Sequence, residues 1–408
     1  LNQGDVRPLF SDPGGGSLFQ GIPTNVLAFG LVSFFTDVSS EMIYPLLPLF
    51  LTSVLGAGPA FLGIIEGTAE STAALLKLFS GILSDRVKCR KNLVVAGYGL
   101  SSTARPLVAA ASSPLAVLFI RFADRAGKGI RTSPRDALLA DSAPPEVRGK
   151  AFGIHRAMDH AGAIIGPLIA TALLAGFSLK LRTVFWLAAI PALAAMLVLI
   201  FLVREAAREK PAGAGASRLG ALPTGQLRTY LFILLLFTLG NSSDAFLLLR
   251  AHQLGVPSAA IPLLWTFFSL VKMLSVMPFG ALSDRMGRRG VIIAGWGVYA
   301  LSYLGFGLAQ TALQAWLLFG FYGLFYGLTE GVEKAFLVDL SRTGRVGEAF
   351  GWYNFAIGAG ALPASLIFGF LWQSLGPATA FGFGAALAAV SSLLLLALVR
   401  PAGKGKSP

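Results

Sequence analysis

The chain has 408 residues, of which 55% are hydrophobic and only 13% charged, with a mean hydropathy of +0.70 and a formal net charge of +13. Soluble domains carry roughly 25% charged residues, so this composition excludes an ordinary water-soluble core and makes lipid the expected solvent. The basic residues fall in short loops between apolar runs, which reads as membrane topology and not as nucleic-acid binding. Cys89 is the single cysteine, so a disulfide framework is excluded.

Leu1–Gln20 is polar and Gly-rich and lacks a basic segment followed by a cleavable apolar stretch. A disordered cytoplasmic tail over residues 1–23 is expected. A bilayer-spanning helix needs about 20 mostly apolar residues. The first half supplies six such runs: Thr24–Leu51, Ala60–Ser84, Asn92–Ala111, Pro114–Leu139, Ala151–Ala175 and Arg182–Val203. The second half supplies six more: Thr229–Arg250, Ser258–Ser283, Val291–Ala309, Leu313–Leu340, Glu348–Trp372 and Ala378–Val399. The expected fold is therefore all-α, with one bundle over 24–203, a polar linker over 204–228, a second bundle over 229–399 and a tail over 400–408. Lys and Arg gather on one side, at Arg86–Lys91, Arg148–Lys150, the linker, Arg285–Arg289, Arg342–Arg345 and the tail. The other side holds little beyond Lys180 and Arg182. By the positive-inside rule both termini are cytoplasmic, in a multi-pass protein of the cell inner membrane.

The two halves repeat one another. Gly81–Lys91 reads GILSDRVKCRK and Gly280–Gly290 reads GALSDRMGRRG, 199 residues on. Ser39-Ser40-Glu41 matches Ser242-Ser243-Asp244, and Asp141 with Ala151-Phe152-Gly153 matches Asp339 with Ala349-Phe350-Gly351. Parallel repeats place a substrate site between the halves near the midplane.

On these residues the chain resembles a major facilitator superfamily transporter over about Thr24 to Val399. The charged turn between helices 2 and 3 is similar to the family's signature at Gly81, Asp85, Arg86, Arg90 and Lys91, although Lys88 and Cys89 stand where Gly and Arg are usual. The second copy keeps Gly287, Arg288 and Arg289. The resemblance implies that Asp85, Arg86, Arg90, Asp284, Arg285 and Arg289 latch the halves together in the outward-facing state. Arg121, with Ala140-Asp141 and Pro144–Lys150, resembles the helix 4 pattern. Gly162, Gly166 and Pro167 resemble a Gly-x-x-x-Gly-Pro pattern of the family's exporters, without its trailing glycines. Such small-residue spacing also serves plain helix packing.

Ionisable residues within the runs cost roughly 2.5–3.5 kcal/mol each on insertion scales and mark functional sites. Read at about 100° per residue, Asp37 and Glu41 lie one turn apart, and Glu66, Glu70 and Lys77 share a stripe. Arg121, Asp124, Arg125, Lys128, Arg131, Arg135 and Asp136 share a broad face of the fourth helix, and His155, Arg156 and Asp159 share a polar face of the fifth. Arg105 stands on the third, before Pro106. The second half has Asp244, Arg250, Lys272, Glu330, Glu333 and Lys334. These faces point to water or to each other.

Asp37, Glu41, Glu66 and Glu70 are the expected proton-coupling groups, and Arg105, Arg121, Arg125 and Arg131, with Tyr326 as a cavity wall, the substrate-binding groups. Arg135-Asp136 opposite Glu333-Lys334 suggests complementary pairing across the interface, as gate or as fixed ion pairs. His155 and His160 can titrate near neutral pH or serve packing. Trp265, Phe267, Phe268, Phe321, Tyr322 and Phe325 read as packing or lipid-facing. No phosphate loop, metal spacing or nucleophile–base set stands out, so no cofactor is expected and an intramembrane enzyme is disfavoured. The expected activity is proton-coupled efflux of a small polar or charged organic compound by a monomer; the alternative is proton-coupled import of an anionic nutrient such as an organic acid or metal chelate.

Overall fold

The computed structural model describes residues 23–87, 89–143, 148–205, 223–341 and 346–399. The tail up to residue 22, Lys88, the linker over 206–222 and the tail from residue 400 lie outside the described residues. Helices account for nearly all of the rest, and no strand occurs among the described residues. They are α1 (Thr24–Val54), α2 (Pro59–Arg86), α3 (Arg90–Leu107), α4 (Pro114–Asp141), α5 (Arg148–Thr171) and α6 (Leu181–Phe201). There follow α7 (Gly225–Gln253), α8 (Ile261–Met286), α9 (Arg288–Leu308), α10 (Ala312–Leu340), α11 (Val346–Leu375) and α12 (Pro377–Leu398).

Sequence signals set many of the ends. Pro59, Pro114 and Pro377 open their helices, where a missing N–H costs nothing. Ser113 caps α4, and Thr311 with Gln314 forms a capping box on α10. Gly287, with φ 92°, supplies the left-handed turn between α8 and α9.

Nine helices among the described residues are long and apolar enough to cross a membrane. The sequence reading expected more, and α2, α3 and α4 are the difference. α3 is short at 18 residues. α4 carries Arg121, Asp124, Arg125, Lys128, Arg131, Arg135, Asp136 and Asp141. Its charge is a property of one face, since Arg121, Asp124 and Arg131 are buried while Phe119 and Phe122 are exposed.

Helix pairing repeats along the chain. α1 packs on α5 and α6, α2 on α4, and α3 on α4 and α6; correspondingly α7 packs on α11 and α12, α8 on α10, and α9 on α10 and α12. The two sets meet where α2 packs on α11 and α5 on α8. At one end the join is tight. A Cβ on Gly63 would sit 2.3 Å from the Ser365 carbonyl oxygen, and one on Gly369 2.6 Å from that of Pro59, so the backbones touch. At the same end Leu46–Leu51 of α1 and Phe246–Leu249 of α7 are buried, and these two segments pack on each other.

Candidate functional site

Two helices break beside the joint. In α1, Pro45 and Pro48 remove backbone donors, and Tyr44–Leu46 tightens into a 3₁₀ turn just after Glu41. In α7 the helix stops at Gly240 and restarts at Ala245, leaving Asn241–Asp244 non-helical. Such backbone is tolerated at membrane depth only inside protein or beside a water-filled cavity. The Ser-Ser-acid repeat falls on the second interruption and ends one turn before the first.

The interruptions border three adjoining cavities of about 220, 570 and 140 Å³. Asp244 lines all three. Tyr44, Glu70 and Lys128 line the first two; Glu41 and Trp265 join the first to the third. The largest runs towards Lys77, Thr132 and Asn354, on the side of the charged turns.

On the wall made by α2, α3 and α4, cations and carboxylates are paired. Arg105 donates to Asp124 at 2.8 Å and to the Thr36 carbonyl at 3.0 Å. Arg121 donates to Glu66 at 2.8 Å and to Asp124 at 3.4 Å, and lies over the Tyr44 ring at 5.7 Å. Arg125 lies 3.4 Å from Glu70. Glu66 is fully buried, whereas Glu70 opens to the cavity. Arg131 stacks its guanidinium 4.2 Å over Tyr98 and leaves Nε and one terminal nitrogen without partners. Lys128 is exposed to the cavity and makes no ion pair among the described residues.

Facing them are carboxylates satisfied by neutral donors. The Trp265 indole donates to Glu41 at 2.7 Å. Tyr322 and Tyr326 donate to the two oxygens of Asp244 at 2.7 and 2.8 Å. Lys272 lies 4.2 Å over the Tyr326 ring and pairs with Glu330 at 3.1 Å. Ser243 donates to Glu66 at 3.3 Å, so this bond and Glu41–Trp265 both span the joint.

Asp37 also lines the first cavity, and its carboxyl lies within hydrogen-bonding reach of Asp159 on α5. Two carboxylates that close repel unless a proton lies between them. Asp159 further accepts from Ser33 at 2.5 Å and from Arg156 at 3.2 Å. The glycines of α5 make this approach possible. A Cβ on Gly162 would meet the Phe34 carbonyl oxygen at 2.5 Å and Asp37 at 3.0 Å; one on Gly166 would meet the Val38 oxygen at 2.7 Å. Their spacing thus seats α5 on α1.

All four expected acids and all four expected arginines therefore lie at or beside the chamber, with Tyr326 on the opposite wall. Arg105 and Arg121 are committed to carboxylates. Sequence spacing does not mark Asp159, Ser243, Trp265 and Tyr322 as site residues: the two aromatics read as packing, and their partners are 224 and 78 residues away.

The pairing expected between Arg135-Asp136 and Glu333-Lys334 is not made. Arg135 donates to its neighbour Asp136 at 2.8 Å, while Glu333 accepts from Trp296 at 3.0 Å and Tyr353 at 2.9 Å inside its own set of helices. Arg135, Asp136 and Glu333 each have a partner at hand, which removes the drive to reach across, and Lys334 is exposed. Among the latch residues, Arg90 pairs with Asp141 on α4 and Arg289 donates to the Leu396 carbonyl on α12. Arg285 is exposed. The side chains of Asp85, Arg86 and Asp284 lie outside the described ones.

Comparison with known proteins agrees with this architecture. The family model of the Major Facilitator Superfamily matches residues 29–249 and 232–408. An MFS-type transporter of Methanocaldococcus jannaschii is 36% identical over 383 residues, covering 91% of this chain and 94% of that protein. A multi-drug resistance efflux pump of Streptococcus pneumoniae is 27% identical over 324 residues, 73% of this chain and 76% of the pump. A crystal structure of the nucleoside transporter NupG superposes with a TM-score of 0.79 at 14% identity, covering 92% of this chain and all of that one. With its helices paired around a charged chamber, and matched in sequence over nearly its whole length, the chain belongs to the major facilitator superfamily, a family of membrane transporters and not of enzymes.

Proposed function

We propose that this protein is a secondary active transporter that moves a small polar or charged organic compound by alternating access, as a proton-coupled antiporter working in efflux. Twelve helices cross the inner membrane in two pseudo-symmetric bundles, 24–203 and 229–399. The tails at 1–23 and 400–408 and the linker at 204–228 are cytoplasmic, and the working unit is a monomer. α2, α3 and α4 cross with the others, their charges turned to the chamber.

The observation that carries this reading is that Glu41 and Asp244 line the chamber with only neutral hydrogen-bond donors on them. A carboxylate so held can take a proton without breaking an ion pair. Asp37, against Asp159, adds a third such group on α1. Glu66 and Glu70 are coupled to them through Arg121 and Arg125 and transmit the change in charge. Arg125, Arg131 and Tyr326 face the passenger; Arg105 and Arg121 hold the wall in shape. Tight packing at the α2–α11 end, with the largest cavity on the side of the charged turns, supports a state open to the cytoplasm. In the opposite state Asp85, Arg86 and Arg90, with Asp284, Arg285 and Arg289, close the cytoplasmic side.

Efflux draws support from the pneumococcal relative's name. The second reading, import of an anionic nutrient such as an organic acid or metal chelate, is favoured by the basic face of α4. Proteoliposomes with an imposed pH gradient separate the two. Antiport moves solute against the direction of proton flow; movement with the protons overturns efflux, and transport indifferent to the gradient overturns proton coupling.

A further inference from the structure

The fixed ion pairs simplify the chamber's charge. Asp124 is taken by Arg105 and Arg121, Glu66 by Arg121, and Glu70 by Arg125. Subtracting these leaves two cations on the α4 wall: the Arg131 guanidinium, buried and stacked on Tyr98, and the Lys128 ammonium, exposed to the cavity. On the walls of α1 and α7 it leaves Glu41 and Asp244, each held by N–H or O–H groups that carry no charge. Lys272 of the second wall is engaged by Glu330. Lys128, Glu41 and Asp244 line the same cavity of about 220 Å³, with Asp37 beside them against Asp159. Between them lies an aromatic surface, with the Tyr44 and Trp265 rings 5.4 Å apart.

We infer that the passenger is a small zwitterion with an apolar or aromatic body, its carboxylate bound at Lys128 and its ammonium between Glu41 and Asp244. This rests on the transporter reading and names its substrate class. A purely anionic ligand leaves two carboxylates uncompensated beside it, and a purely cationic one leaves the lysine so. Desolvating an unpaired charge is the larger penalty in each case. A zwitterion matches both walls. The aromatic surface adds contact area, and its rings attract an ammonium.

The test uses the full-length protein in detergent with L-phenylalanine, L-phenylalanine amide and N-acetyl-L-phenylalanine as probes, read by thermal shift and isothermal titration at neutral pH. The zwitterion is expected to bind at least about tenfold tighter than either singly charged analogue, a difference of about 1.4 kcal/mol. Lys128→Gln is expected to abolish the preference over the amide while keeping the preference over the N-acetyl compound. Glu41→Gln, which keeps an acceptor for Trp265, is expected to do the reverse. Equal or tighter binding of either analogue overturns the inference, as does absence of binding by all three up to the millimolar range. Because the wild-type ranking needs no variant, a misfolded mutant does not blunt the test. The same probes in proteoliposomes separate the two layers: a zwitterion that binds but never crosses the bilayer refutes the transporter reading and keeps the site, whereas proton-driven movement of another solute without this preference keeps the transporter and refutes the site.

Discussion

The two walls of the chamber stabilise buried carboxylates in opposite ways. On the α4 side Glu66, Glu70 and Asp124 are neutralised by arginines. On the α7 and α10 side Asp244 is solvated by Tyr322 and Tyr326, within an aromatic cluster where Tyr299 and Tyr303 stack at 4.1 Å and Phe237 stacks on Trp296 at 4.5 Å. The difference is chemical. A carboxylate paired with arginine cannot take a proton without leaving a buried guanidinium unpaired. One held by phenols can, because a hydroxyl both donates and accepts and can reverse its role. One wall is therefore a fixed scaffold and the other a place where charge can change.

The first way to break this comparison is to remove the scaffold's hub. Arg121→Ala leaves Glu66 buried without a cation and is expected to destabilise the protein by about 3–5 kcal/mol, read as a lower unfolding midpoint in detergent; an unchanged midpoint refutes the scaffold. Asp244→Asn comes next. It keeps an acceptor for one tyrosine but can no longer ionise, so it should reduce pH-gradient-driven transport by more than about tenfold, the size of a lost 1.4 kcal/mol coupling, while solute exchange without a gradient persists. If gradient-driven transport survives, the changeable charge lies elsewhere, and Asp37→Asn becomes the decisive variant. Tyr326→Phe removes one of two donors to Asp244 and is expected to cost about 1–2 kcal/mol, seen as weaker coupling with the fold retained. The smallest effect should come from Glu333→Gln. This residue also has neutral donors, Trp296 and Tyr353, but it lines none of the three cavities, so transport should change less than about twofold, a few tenths of a kcal/mol. A large loss would mean that the second wall's chemistry extends past the chamber.

Much of this organisation was legible in the sequence, because membrane helices announce themselves by hydropathy and duplicated turns by identity. The charged face of α4 was legible too, since Arg121, Asp124, Arg125, Lys128 and Arg131 follow helical spacing. What spacing cannot show is which charges meet between helices. Arg105 read as free to bind substrate, yet Asp124, 19 residues on, occupies it. Arg135 and Glu333 occupy matching repeat positions but find partners in their own helix sets. Tyr322 and Trp265 read as packing because an aromatic ring in an apolar helix looks the same whether or not its polar atom reaches a carboxylate.

The density of ionisable groups on α4 also bears on how the protein is made. At roughly 2.5–3.5 kcal/mol for each charge near a helix centre, this segment cannot partition from the translocon into lipid alone. Its partners Glu66 and Glu70 are already synthesised on α2, and Arg105 on α3, when α4 emerges. In the proposed twelve-span topology the three segments enter the bilayer together, with Arg105, Arg121 and Arg125 matched to carboxylates, so that losing a glutamate on α2 lowers the yield of inserted protein before it alters any transport rate.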